Sequence, residues 1–502
     1  MRFKWAIRRI SVIFVSLILL VFLFLNYMNY DDQDSPDYED HFDSEKDAVF
    51  VQKYLKLMQM GRAPTRSVVE KKSKVEEHYW CFLKRPENIR KSRNWLKMAG
   101  IEVYSAYYDD RDNSLFPENT AVQILVMSNH SIESKISIYC NIFTPTSYST
   151  VKGYIREIWQ TGWDPRDSFQ VPSLVTCPIS KRIGNDDEMS VSLTRRPCLS
   201  TENAMEVIKK PVFSGNETRK DVAVCVKGLD YQTSSSFLIQ EDISDRLLEW
   251  IEMQYVFGAD TVSIYHFHLS EKTHKVLDYY KEKRKLKVIP LSLPSGNANN
   301  PLERSAFLKA NRPQKRRHEL LPYNDCFYSH IHTHRYVLIL DIDEIIVPIE
   351  HDNYVSNLGD LLRNFELKTS GIRLSSISSR NVFKFPSNFT LFPHYNYMIS
   401  NKKRSKKTSP KGEYGKSFSS TSTVATVFNH FALHKLSPAV AKSQYFSSSE
   451  ALKLHYKSEC PWESRNECHQ LQYDVIDDRS LDRFEEKLRR RVNEIVMEIG
   501  IK

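Results

Sequence analysis

Short apolar runs separated by turn residues dominate the middle of the chain, and their period changes once. Between residues 79 and 214 the pattern is that of strands: 100–108, 121–127 and 135–140 alternate or run apolar, with turn sequences such as 110–113 between them. A smaller β-rich domain is expected there. After Gly215 the period shifts. Residues 222–226 read as a buried strand, 243–256 carry helical spacing through Leu247, Leu248, Ile251 and Tyr255, and 261–265 are again a strand. A second helical stretch, 275–283, leads into a strand at 286–291, and a further helix around 324–333 enters 336–340, the most apolar strand of the chain. Strands alternating with helices predict an α/β domain built on a parallel sheet with crossover helices. Trp250 and Tyr255 fall on the core side of the first of these helices. Residues 480–499 place Leu481, Phe484, Leu488, Val492, Ile495 and Ile499 at three- and four-residue steps, which predicts an amphipathic helix. Packing on the preceding domain is expected of it; a homodimer through this helix is the alternative, which fewer than three heptads support weakly.

The N-terminus has another character. Residues 10–25 hold only apolar residues and Ser, and the run extends through Tyr27, Met28 and Tyr30 to the length a bilayer-spanning helix needs. Arg2, Lys4, Arg8 and Arg9 precede it, and an acidic stretch from Asp31 to Asp43 follows. Positive charge stays on the cytosolic side, so the expected topology is a type II signal-anchor with the remainder luminal. A cleaved signal peptide would want small residues at its exit, where this chain has Asn26, Tyr27 and Met28. The short apolar core suits the thinner membranes of the early secretory pathway. The expected organisation is a cytosolic tail (1–9), transmembrane anchor (10–30), stem (31–78), β-rich luminal domain (79–214), α/β domain (215–470) and C-terminal amphipathic helix (471–502).

Composition narrows the function. Hydrophobic residues make up 41% and charged residues 26% of 502 residues, values of a folded globular chain of two or three domains. The net charge of +9 gathers in two runs, 312–317 and 402–416, that read as loops without regular aromatic interleaving, so no nucleic-acid partner is expected. Eight cysteines without a C-x-x-C pair argue against a zinc module and, in an oxidising lumen, can form disulfides; Cys460 and Cys468 are the most local pair. N-glycosylation sequons begin at Asn129, Asn216 and Asn388.

The chemistry points to the end of the most apolar strand. There Asp341-Ile-Asp343-Glu344 puts three acids in four positions, at the carboxyl edge where α/β proteins bind ligands. If the segment is extended, Asp341 and Asp343 point the same way and converge on one ion. Hard oxygen ligands suit Mn²⁺ or Mg²⁺, whose shell a substrate phosphate completes.

The segments 222–227, 248–260, 324–326 and 338–348, with later motifs at Lys416-Ser-Phe, Asn429-His-Phe and Leu454-His-Tyr, resemble glycosyltransferase family 92. The resemblance covers roughly 215–470. It implies a GT-A fold, a UDP-sugar donor, a divalent cation and a type II Golgi membrane protein, with inverting transfer of galactose to a fucose on a glycan or glycoprotein acceptor. It favours His430 and His455 over His434 as metal ligands beside Asp341 and Asp343. Lys416 heads one motif and is a candidate phosphate contact, within a run that reads as a solvated loop. An inverting transfer needs a carboxylate to take the acceptor's proton, for which Glu344 and Glu463 are the candidates. Two other readings compete: a phosphatase of the haloacid-dehalogenase type, whose later Gly-Asp motif is missing at the right distance, and an inactive adhesion or receptor ectodomain.

Overall fold

Two sheets carry the architecture. In the computed structural model the described residues are 79, 81–111, 120–132, 136–160, 164–166, 168–180, 183, 188–209, 218–230, 242–283, 285–349, 357–385, 396–457 and 465–500. They all fall in one compact unit. No helix among them is long and apolar enough to cross a membrane. The expected anchor and stem, and with them Asn216, Asn388, Cys460 and Glu463, lie outside the described residues.

The first sheet comprises β1 (Asn88–Arg90), β2 (Leu96–Met98), β3 (Ile101–Asp109), β4 (Ala121–Ser128), β5 (Ile138–Phe143), β6 (Tyr148–Glu157), β7 (Val171–Pro178), β8 (Ser190–Thr194) and β9 (Asn203–Ile208). Its order is β1-β9-β8-β5-β6-β7-β4-β3-β2, and β9 also pairs with β3. Most pairs are antiparallel, as the alternating sequence predicts; β9 alone runs parallel to β1 and β3. Disulfides Cys81–Cys198 and Cys140–Cys177 fasten it.

The second sheet starts as the sequence predicts. β10 (Lys220–Leu229), α1 (Ser244–Val256), β11 (Thr261–His266), α2 (Glu271–Glu282) and β12 (Leu286–Pro290) are followed by α3 (Pro301–Ala310), α4 (Arg312–His330) and β13 (His334–Leu340). β12, β11, β10 and β13 lie side by side and parallel. Their residues face two cores in alternation. Val222, Val224, Val226, Leu338 and Leu340 join one cluster, while Ala223, Cys225, Val337 and Ile339 join the other. Both faces are therefore buried, which is why these strands read as near-continuous apolar runs.

The remaining elements are β14 (Glu344–Pro348), α5 (Leu358–Lys368), β15 (Ser376–Lys384), α6 (Tyr397–Ser400), β16 (Lys403–Ser405), β17 (Lys416–Ser420), β18 (Val424–Val427), β19 (Ala432–Lys435), β20 (Gln444–Tyr445), β21 (Ala451–Tyr456), α7 (Arg465–Tyr473), β22 (Val475–Asp477) and α8 (Asp482–Ile499). They extend the sheet to β12-β11-β10-β13-β17-β15-β21-β14. The predicted C-terminal helix is present, and Phe484, Leu488, Val492 and Ile495 bury against the core, with Phe484 edge-on to Phe257. Cys225–Cys326 ties β10 to α4. Cys468 is also disulfide-bonded.

Two sequence readings of the basic runs are corrected. Residues 312–317 are no loop: they form the first turns of α4, where Pro313 suits the opening turn and Arg317 turns inward to bond the carbonyls of Asp164 and Arg166. The 402–416 run is solvated only in part: Lys403, Lys406, Lys407 and Lys411 are exposed, whereas Lys402 pairs with Asp482 and Glu485, β16 pairs with β22, and Lys416 is fully buried.

The sheets meet at α4. Asp325, fully buried, accepts from Arg93 Nε (2.8 Å), Tyr107 Oη (2.7 Å) and Tyr265 Oη (2.6 Å). Arg111 is a second tie: Asp109 grips its guanidinium, which donates to the carbonyls of Thr421 (2.6 Å) and Val424 (2.7 Å). Removing one partner from a buried ionic network costs about 3–5 kcal/mol, whereas losing a single hydroxyl costs about 1 kcal/mol. Asp325→Ala is therefore predicted to lower the denaturation midpoint several times more than Tyr265→Phe does. Equal effects in urea unfolding would deny Asp325 this role.

On the helical side Glu249 of α1 accepts the N–H groups of Met398 (3.0 Å) and Ile399 (2.9 Å), and burial raises its pKa from 4.5 to about 7. Because the folded value exceeds the unfolded one, this group favours folding at pH below 4.5, and that contribution is lost as pH rises through about 7. The full span is worth about 3 kcal/mol. Glu249→Gln is predicted to flatten this part of the stability–pH curve, measured by denaturant titration; an unchanged slope would refute the assignment.

Candidate active site

β13 delivers its apolar residues to both cores and stops at Leu340, so the acids that follow stand at the carboxyl edge of the parallel strands. The segment then turns. The Asp341 carbonyl accepts the Glu344 N–H at 3.0 Å, and β14 begins at Glu344. Asp341 and Asp343 are thus in a turn and not in the extended strand that an i, i+2 convergence assumes, and their side chains have different ion-pair partners.

Asp341 faces lysines. Its Oδ1 is 2.9 Å from Lys227 Nζ and its Oδ2 is 3.4 Å from Lys416 Nζ. Glu344 is held the same way, by Lys453 at 2.6 Å and Lys416 at 3.3 Å. Strand order explains the convergence: β10 supplies Lys227, β17 supplies Lys416 and β21, paired to β14, supplies Lys453. Burial alone would raise the pKa of both acids, and the ammonium groups overcome it, holding both well below the usual carboxylate range. Lys416 also donates to Asn429 Oδ1 at 2.6 Å. Gly415 before it must lack a side chain, since a Cβ there would lie 2.7 Å from the Ser379 carbonyl.

Asp343 points elsewhere. Its side chain is 44% exposed, and its Oδ2 is 3.3 Å from His455 Nε2 and 4.0 Å from Lys457 Nζ. His455 stacks on Phe383, its Nδ1 makes no hydrogen bond among the described residues, and burial followed by the nearby Lys453 lowers its pKa. A neutral imidazole beside a half-exposed carboxylate is a donor pair that Mn²⁺ accepts. The described residues contain no cluster of three His, Cys, Asp or Glu able to hold an ion. An ion here would rest on Asp343 and His455, with substrate oxygens and water completing its shell.

The other two histidines make no hydrogen bond with Asp343 or His455 among the described residues, although His430 feels the charges of Lys416, Lys453 and Glu344. His430 has its Nδ1 2.7 Å from the Gly415 carbonyl, and burial lowers its pKa to about 3. His434 is packed against Thr426 Oγ1 at 2.6 Å. Asn129 is exposed at the end of β4, where an acceptor asparagine needs to be.

Two cavities open at this edge. The smaller, about 210 Å³, is mainly apolar and lies at the ends of β10, β11 and β12, with Leu229, Phe267, Leu291 and Trp95 in its wall. The larger, about 490 Å³, is lined by Arg312, Lys315 and Arg316 of α4, by His430 and Asn429, and by Trp159 of the first-sheet segment. Lys227, Lys315 and Glu319 belong to both. Sequence reasoning gave these three, and Lys453, no role. Lys227 directly follows an apolar strand and Lys453 interrupts one, signals that could have marked them; Glu319 carries none.

An acidic turn, an imidazole and basic cavities at the carboxyl edge of a parallel sheet define a ligand site of the α/β class, and the chain carries there a glycosyltransferase domain. Residues 220–492, just over half the chain, match the profile described as Glycosyltransferase family 92, and the protein belongs to that family. No curated protein matches the chain.

Lys453 and Glu344 are both buried, so Lys453→Met is predicted to cost about 3–5 kcal/mol by leaving the carboxylate underpaired. Adding Glu344→Gln should recover much of that loss. Additive costs in the double-mutant cycle would show the pair to be uncoupled.

Proposed function

We propose that the protein is a GT-A-like, divalent-cation-dependent glycosyltransferase that moves a hexose, first of all galactose from UDP-galactose, to a glycan acceptor such as a fucose with inversion to a β linkage. The observation that carries this reading is the Asp343–His455 pair at the carboxyl edge, within the family 92 match. Asp343 and His455 would hold Mn²⁺ or Mg²⁺, which when bound neutralises charge on the departing diphosphate. The apolar cavity suits the nucleoside, with Trp95 and Phe267 in its wall, and Lys227 stands where both cavities meet, beside the place the phosphates would take.

The acceptor hydroxyl must give up a proton as its oxygen attacks the anomeric carbon. Glu344 is poorly suited, because both its oxygens are held by lysines. Glu319 is the carboxylate that borders both cavities, 3.4 Å from Lys227, and is the described acid best placed for this step; Glu463 stays a candidate outside the described residues. A type II Golgi setting agrees with the apolar run at 10–30 and with disulfides that need an oxidising compartment. The family match favours sugar transfer over phosphatase chemistry.

The test uses the full chain in detergent with UDP-galactose, a fucosylated N-glycan and Mn²⁺. Asp343→Asn is predicted to reduce transfer by about a hundredfold or more while leaving the denaturation midpoint near that of the wild type, since its carboxylate is half exposed; His455→Ala should reduce transfer as far but also lower the midpoint, because it removes a buried ring stacked on Phe383. The anomeric proton coupling of the product should report a β linkage. Undiminished transfer by a folded Asp343→Asn chain would overturn the site, and phosphate release from monoesters without sugar transfer would overturn the reaction class.

A further inference from the structure

The larger cavity carries more positive charge than donor chemistry requires. Around the acidic turn the groups balance: Glu319, Asp341, Asp343 and Glu344 stand within ion-pair distance of Lys227, Lys416, Lys453 and Lys457. A divalent ion and a nucleotide-sugar diphosphate cancel one another in the same space. Lys315 and Arg316 remain outside this balance. Both line the cavity, both are exposed, and neither enters an ion pair among the described residues. Arg312 stands on the same wall.

That wall is rigidly backed. Trp159 and Phe428, with ring centroids 5.8 Å apart, are almost wholly buried and back the cavity with apolar surface. Trp159 follows β6, so the first sheet contributes to the cavity, and Arg317 over its ring (4.8 Å) fixes the indole in place. Unpaired exposed cations lining a cavity suit a ligand that bears a negative substituent, because a charged hydrogen bond is stronger than a neutral one.

We propose that the larger cavity receives an acceptor saccharide carrying an anionic group, a carboxylate, sulfate or phosphate, read by Lys315 and Arg316. This rests on the transferase reading above and adds the acceptor's chemical class to it. Arg316 and Lys315 are positioned to set specificity and take no part in bond making. Their attraction acts through solvent, so it weakens as salt rises.

The experiment compares one oligosaccharide core in four forms, neutral, sialylated, sulfated and phosphorylated, for direct binding to the full chain in detergent with UDP and Mn²⁺ present, and then for transfer. At low salt at least one acidic form should bind about tenfold tighter than the neutral form, with the advantage lost at high salt and in the Lys315→Gln/Arg316→Gln chain. The four forms tell carboxylate, sulfate and phosphate apart. Equal binding of neutral and acidic forms by the wild type would overturn the proposal. So would a double variant that loses UDP affinity to the same degree as acidic-saccharide affinity, since the cations would then serve the donor. Acidic preference without transfer from any UDP-sugar would support this proposal and sink the transferase reading; transfer to neutral acceptors without acidic preference would do the reverse.

Discussion

The acidic turn after β13 can exist where it does only because lysines are buried with it. Asp341 and Glu344 sit against two hydrophobic clusters, where an unpaired carboxylate would cost several kcal/mol or take up a proton. Lys227, Lys416 and Lys453 arrive from β10, β17 and β21, three strands separated widely in sequence. The order β10-β13-β17-β15-β21-β14 thus has an electrostatic reason as well as a packing one. With two of the three acids neutralised internally, Asp343 alone keeps a half-exposed carboxylate, and the turn's chemistry narrows to it and to His455.

Rigidity behind this arrangement comes from α4. The helix fills the space between the sheets, meets the first through Asp325 and Arg317, and presents Lys315 and Glu319 to the cavities. A change at the seam would therefore reach the site through one body, without any contact between the altered residue and a ligand. Preorganised groups of this kind lose little freedom when charge develops beside them.

How far the sequence could be read follows from where each partner lies. The run from β10 to β13 was legible because strands buried on both faces are apolar throughout, and helices between them keep their period. The first turns of α4 were not, since their buried side is polar: Gln314, Arg317 and His318 face inward on hydrogen bonds and aromatic rings supplied by the first sheet. The acids of the site were visible as a motif, but the turn that separates Asp341 from Asp343 depends on one backbone bond that spacing does not announce. Lys416 was singled out yet misplaced, because its burial is set by Asp341 and Glu344, which precede it by some seventy residues. His455 was legible through the family resemblance; Lys453 beside it was passed over although it breaks an apolar strand.

The disulfides impose an order on how the protein is made. Cys140–Cys177 lies wholly inside the span of Cys81–Cys198, and both pairs lie wholly N-terminal to β10, so neither needs a cysteine of the second sheet. The first sheet can therefore be covalently finished while the catalytic half is still emerging, as domains of growing chains commonly fold in turn. Cys225 must wait about a hundred residues for Cys326, its partner on α4. Oxidation at that moment has a single neighbouring outcome once the earlier cysteines are spent, and the nested layout works as a timetable that keeps the β10–α4 bond from forming with the wrong partner.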